Sequence, residues 1–138
     1  MKFATAFVPA LTRNIGAVVL GGLLALGTVS AATAADPTGT WQSTTGESRY
    51  EVSMCGDGTQ LCAQLTWLRS DARTAENLAY LNRNVVTGAT AAADNKWRGQ
   101  LAYEGNTYAG SVTLTSADSL KLSGCKGLFC KTMTFQRI

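Results

Sequence analysis

The chain has 138 residues, with 14 Gly, 2 Pro and 4 Cys; 46% of it is hydrophobic and 15% charged. That length suffices for one domain and is too short for two. The charged fraction falls below the ~25% usual in soluble domains, yet apolar residues are too plentiful for a disordered chain. Histidine is absent, which excludes imidazole general bases, Ser-His and Cys-His nucleophile pairs, and any metal site that needs an imidazole.

The first 35 residues read as an export leader. Lys2 and Arg13 precede the apolar run Ile15–Val29, and Ser30-Ala31-Ala32-Thr33-Ala34-Ala35 offers small residues to a signal peptidase. The apolar run is shorter than the ~20 residues that span a bilayer. The sequence therefore predicts a signal peptide over 1–35, cleaved after Ala34 or Ala35, and one domain over 36–138. That domain is expected in the periplasm of a Gram-negative cell or secreted, with no membrane span once the leader is gone. Without Lys2 and Arg13, ten cations face nine acids, a net charge of +1. The cations are scattered from Arg49 to Arg137, so bulk charge supports neither nucleic-acid nor anionic-membrane binding.

From residue 39 onward, apolar residues recur at every second position. Tyr50, Val52 and Met54 interleave with Glu51 and Ser53; Leu61, Ala63, Leu65 and Trp67 interleave with Gln64 and Thr66. Trp97, Leu101 and Tyr103 share parity, as do Tyr108, Val112 and Leu114. Leu120 and Leu122 flank Lys121, and Met133 and Phe135 alternate with Thr132, Thr134 and Gln136. Period two marks strands with one buried face. Turns are predicted at Asp57-Gly58, Asp94-Asn95, Glu104-Gly105-Asn106 and Ser116-Ala117-Asp118. Short strands joined by hairpin turns make an antiparallel meander, and closing it buries the apolar face and removes the edges. The exception is Ser70–Asn84, which lacks alternation. Leu78 and Leu81 are three apart and Thr74 can cap a helix, so a long connection with about two helical turns is expected there. Val85-Val86-Thr87 resumes strand character, and Gly88–Ala93 reads as a small-residue loop.

The cysteines fall in two local pairs. Cys55 and Cys62 bracket a turn-rich loop between two strand-like runs, and Cys125 and Cys130 bracket Lys126–Phe129. Residues opposite each other across a hairpin are close enough to bridge. A four-Cys zinc site is the alternative; export favours disulfides, and no C-x-x-C motif marks a redox pair.

Gly39-Thr40-Trp41 opens the first strand and Arg137 nearly ends the last, a pairing similar to that of the calycins, the lipocalins and fatty-acid-binding proteins. The chain from residue 39 resembles, more specifically, a family of small exported bacterial proteins named, in words, domain of unknown function two-one-four-seven. The residues concerned are Gly39-Thr40-Trp41, Cys55-Gly56-Asp57, Leu61-Cys62, Trp67-Leu68, Leu81, Arg83, Gly88 and Trp97-Arg98-Gly99. Gly105, Tyr108, Leu120, Leu122, Gly124-Cys125, Leu128-Phe129-Cys130 and Gln136-Arg137 complete the set. The resemblance implies an all-β fold, an antiparallel up-and-down calycin-like β-barrel with one short helical connection. It also implies that Arg137 stacks over Trp41 at one barrel end. The sequence departs from the family at Asn84, where a Pro is common, and in a shortened Tyr103-Glu104-Gly105 turn.

No catalytic constellation emerges. Glu47, Arg49 and Glu51 share a solvated face, Asp57, Asp94, Glu104 and Asp118 serve turns, and neither a calcium loop, a nucleophile elbow nor a phosphate loop is present. The expectation is a non-enzymatic lipocalin-like barrel without metal or cofactor. Trp67, Trp97, Tyr103 and Tyr108 fall on predicted inward faces, where they either fill a core or line a pocket for a small apolar ligand. Arg83 either guards the mouth or satisfies carbonyls of its own loop. The alternative is an interaction or inhibitor module that meets an envelope protein through Ser70–Asn84 and Lys126–Phe129.

Overall fold

The computed structural model describes residues 35–138, so the expected leader lies, but for Ala35, outside the described residues. Eight strands follow one another around a closed antiparallel barrel: β1 (Gly39–Ser43), β2 (Ser48–Cys55), β3 (Gln60–Leu68), β4 (Asn84–Ala93), β5 (Lys96–Tyr103), β6 (Asn106–Ser116), β7 (Ser119–Lys126) and β8 (Phe129–Arg137). Between β3 and β4 lie a 3₁₀ turn, Ser70–Ala72, and one turn of helix, α1 (Ala75–Leu78). Thr74 Oγ1 accepts the Asn77 amide hydrogen and caps α1. No helix among the described residues is long and apolar enough to cross a membrane.

The alternation read from sequence sets the register. Val52, Leu61, Val112, Leu120 and Phe135 point inward and are almost wholly buried, while Glu51, Ser53, Lys121, Thr134 and Gln136 between them face solvent. Because the barrel is up-and-down, its two ends differ. One carries the β2–β3, β4–β5 and β6–β7 turns; the other carries the β1–β2 loop, the helical connection and the β5–β6 and β7–β8 turns.

Two expectations about strands are corrected. Trp67 does not face inward. On the β2–β3 ladder Tyr50 pairs with Leu65 but Arg49 pairs with Trp67, so Thr66 is an extra, bulged residue. One inserted residue turns every later side chain to the other face. Leu68 therefore enters the interior, 4% exposed, and Trp67 lies outside beneath the Arg49 guanidinium, 4.5 Å from its Cζ. Nor is Gly88–Ala93 a loop: β4 runs through it. Gly88, at φ +62°, kinks the strand between Thr87 and Thr90, its amide donating to Cys62 Sγ at 3.4 Å, and Ala89 beyond it is 1% exposed.

Both cysteine pairs are bridged and no free cysteine remains among the described residues. Cys125 and Cys130 are direct partners on the β7–β8 ladder. Cys55 and Cys62 are instead diagonal, since Cys55 faces Gln60 and Cys62 faces Ser53. On the chain-entropy account, loops this short contribute roughly 2–2.5 kcal/mol each.

The barrel closes where β1 meets β8, with Trp41 opposite Arg137. Trp41 is fully buried, and its indole Nε1 donates to Pro37 O at 2.9 Å. The Arg137 Cζ sits 4.3 Å from the Trp41 ring centroid. Its guanidinium donates to Thr38 O, Asp36 O and Ala117 O, pinning the segment before β1 and the β6–β7 turn to the same plug. Gly39 is required beside it: its φ is +124°, and a Cβ there would lie 2.9 Å from Arg137 Nη1. A partly desolvated cation–π contact of this kind is worth about 1–2 kcal/mol, and the Arg stem covers the ring. Arg137→Ala should destabilise by roughly 1.5–3 kcal/mol in chemical denaturation and red-shift tryptophan emission, with Arg137→Lys recovering only part. A loss under about 0.5 kcal/mol, the range of ordinary surface substitutions, would refute the plug.

A tyrosine-lined cavity at the open end

The interior is filled unevenly, and a row of three glycines crosses its middle. Gly99 on β5 pairs with Gly110 on β6, which pairs with Gly124 on β7. Their strand parity is that of Leu101, Val112 and Leu122, so the row crosses the inner wall. At Gly110 a Cβ would collide with Ser123 O and Leu101 Cδ1, and at Gly124 one would approach Leu101 Cδ1 to 3.0 Å. The missing side chains let Ala89 pack against Gly99, and Leu101 against Gly110 and Gly124. Below this row Trp41, Trp97, Phe135, Leu61 and Leu120 pack solidly. Above it the side chains do not meet, and a cavity of about 310 Å³ opens toward the end opposite the Trp41–Arg137 plug.

Each wall has its own element. The floor is Tyr50, Leu65, Leu101 and Leu122, with Tyr50 packed edge-on against Phe135, ring centroids 5.2 Å apart. β8 contributes Met133 and, higher, Lys131; the bulged end of β3 contributes Leu68. The connection lies along the rim with Ala72, Asn77 and Tyr80. It is fastened there: the Gly105 amide donates to Tyr80 Oη at 2.8 Å, and Arg69 reaches Asp71 Oδ1 at 2.6 Å, Thr45 O at 3.0 Å and Glu47 Oε1 at 3.7 Å. All four tyrosines of the sequence, Tyr50, Tyr80, Tyr103 and Tyr108, line this one cavity. The walls are therefore mostly apolar and aromatic, and their polar groups include phenols, the Lys131 ammonium and the Glu47 carboxylate.

The residues expected to meet a ligand are thus only partly gathered here. Tyr103 and Tyr108 line the cavity. Trp97 is buried in the packed half and does not reach it. Trp67 lies outside, displaced by the Thr66 bulge. Arg83 is exposed and is not part of the wall. Its loop is held through backbone, since Arg83 O accepts from the Leu65 amide and the Asn82 amide donates to Leu65 O, and this leaves the Arg83 side chain in solvent. Tyr50, Tyr80, Lys131 and Glu47 are among the wall residues that sequence reading passed over. Tyr50 and Lys131 share the inward parity of Val52 and Met133, a signal that was available; nothing in the irregular connection marks Tyr80.

The mouth has a defined electrostatic character. The Lys131 ammonium lies 5.0 Å from the Tyr103 ring centroid and 3.4 Å from Glu104 Oε2. Burial, and then the neighbouring Glu104 carboxylate, push the Tyr103 phenol up to about 12. Burial raises Tyr50 as well, opposed by its hydrogen bond with Ser48. Both phenols stay neutral donors throughout the physiological range. Among the described residues no cluster of three or more metal-ligating side chains occurs.

A folded-state value above the ordinary 10 means that the folded protein holds the Tyr103 proton more tightly than the unfolded chain does. The resulting stability is complete below about pH 10 and disappears as pH rises toward 12. Spectrophotometric titration should show a late tyrosinate that Tyr103→Phe removes. Between pH 10 and 12 wild type should lose stability faster than the variant; parallel losses would contradict this placement of Tyr103.

The family described as "Uncharacterized protein conserved in bacteria (DUF2147)" matches residues 39–137. No curated protein matches the chain. Among solved structures, protein HP1028 from Helicobacter pylori, described as belonging to the lipocalin family, is similar at 18% identity with a TM-score of 0.54, covering 75% of this chain and 84% of its own. A redesigned β-barrel is similar at 20% identity and a TM-score of 0.47, over 73% of this chain and 90% of its own.

Proposed function

We propose that this chain, which belongs to the DUF2147 family, is an exported binding barrel that takes one small, mostly apolar molecule into the open-end cavity and performs no chemistry on it. The observation that supports this is the cavity itself. At about 310 Å³ it lies at the low end of the range for small-molecule sites, and it has their usual make-up of apolar walls with a few polar groups at one side. Leu65, Leu101, Leu122 and Met133 offer the apolar surface. The Tyr103 phenol and the Lys131 ammonium stand where a polar end group of the ligand would emerge. The lipocalin-like barrel fold is compatible with this use of the interior.

Two disulfides fit an oxidising compartment, and on that basis, with the leader-like N-terminus, we place the protein in the periplasm or outside the cell. Binding without catalysis is favoured by the residue inventory. There is no histidine, and several carboxylates are occupied elsewhere: Asp57 by the Thr59 amide and hydroxyl, Asp71 by Arg69, Glu51 by the Thr40 hydroxyl. A second reading, a surface module for another macromolecule, draws on Leu128 and Phe129, 99% and 84% exposed at the open end. The two uses are compatible.

Fluorescence enhancement of 1-anilinonaphthalene-8-sulfonate, an apolar probe with an anionic group, tests the cavity. Leu122→Trp and Gly124→Val each project into it and should weaken probe binding by about tenfold or more, the equivalent of roughly 1.4 kcal/mol. Trp67→Ala and Arg83→Ala should leave binding unchanged. Unchanged binding in both filled variants, with folding confirmed by near-ultraviolet circular dichroism, would sink the interior-site reading.

A further inference from the structure

We propose that the β7–β8 hairpin tip docks the barrel, open end first, on an anionic phospholipid bilayer. Four large apolar residues are exposed among the described residues: Leu78, Leu128, Phe129 and Ile138. Ile138 ends the chain; the other three belong to the connection and the hairpin of the open end. Isolated exposed apolar side chains are ordinary, but adjacent ones at the apex of a turn are not, because turn apices favour Gly, Asn, Asp and Ser.

The tip is built as a rigid projection. Lys126 and Phe129 are the last paired residues of the ladder, so only Gly127 and Leu128 lie beyond it, with Gly127 at φ +61°. The Cys125–Cys130 bridge locks the hairpin immediately below. Few backbone polar groups at this apex lack a ladder partner, and a shallow insertion exposes few of them to hydrocarbon. A lysine stands at each foot. Lys126 donates to Asn106 Oδ1 at 2.9 Å and has no acid partner among the described residues; Lys131 shares its charge with Glu104. The tip is locally positive although the chain from 36 onward is nearly neutral.

Apolar side chains between cations are the chemistry of interfacial docking: the apolar part enters the boundary region and the ammonium groups meet lipid phosphates. A protein partner suits the tip less well. Two side chains supply at most a few hundred Å², against about 800 Å² per partner in a stable protein interface. Seated this way, the cavity mouth faces the bilayer. Leu128, Phe129 and Lys126, which carry the docking, do not line the cavity, so docking stands whether or not the cavity binds a ligand.

The test is flotation of the exported, disulfide-bonded protein with phosphatidylcholine vesicles, with and without phosphatidylglycerol. Wild type and variants share one N-terminus, so any contribution of residues 1–34 cancels. Wild type should float with the anionic vesicles and lose binding as salt rises. Leu128→Ser/Phe129→Ser should reduce binding by about tenfold or more while leaving 1-anilinonaphthalene-8-sulfonate in the cavity. Lys126→Gln should weaken binding to anionic vesicles about fivefold and leave neutral vesicles unaffected. Wild type floating no better with phosphatidylglycerol than without it would overturn the proposal. So would a Leu128→Ser/Phe129→Ser variant that floats like wild type, or a tip that captures a protein and no vesicle.

Discussion

A closed eight-stranded sheet leaves an interior that only its own inward side chains can fill, and everything particular to this protein follows from how unevenly they fill it. In the plugged half the inward positions carry Trp41, Trp97, Phe135 and a set of branched aliphatics, and little space remains. At the boundary with the open half, the same parity on three consecutive strands delivers Gly99, Gly110 and Gly124. Close packing draws neighbours into the room these glycines leave, Ala89 against Gly99 and Leu101 against Gly110 and Gly124. Of the three, Gly124 alone lines the cavity, and the four tyrosines stand around that gap.

Such a gap costs stability, because its lining forfeits contacts that a filled core would make. The rest of the fold is arranged to tolerate it. Arg137 fastens the β1–β8 seam, the segment before β1 and the β6–β7 turn with one guanidinium. The two disulfides staple opposite ends of the barrel, Cys55–Cys62 beside the plugged end and Cys125–Cys130 at the open one. Tyr80 and Arg69 tie the helical connection to the rim, so that the least regular segment also has fixed points.

Much of this was legible in the sequence. Period-two alternation, hairpin turns and the paired cysteines specify a closed meander, and Thr74 marks the one helical turn. Parity also places Trp41 and Arg137 inward at the same end. What escaped were events one residue in size. The Thr66 bulge turns Trp67 outward and Leu68 inward, and no periodicity rule anticipates an inserted residue. β4 has too little hydrophobic contrast in Gly88-Ala89-Thr90-Ala91 to be read as a strand; it is held by its ladder to β5, where Ala89 needs the room that Gly99 leaves. The glycine row was visible as residues and invisible as a row, since only register shows that three glycines far apart in sequence stand side by side.

The claim that the open half is a binding site is tested most directly by intermolecular nuclear Overhauser contacts from a bound apolar probe. The account predicts contacts to the methyl groups of Leu65, Leu101, Leu122 and Met133 and to the rings of Tyr103 and Tyr108, all of which line the cavity. Contacts confined to Leu128 and Phe129 on the hairpin tip, or to Trp67 on the outer wall, would contradict it.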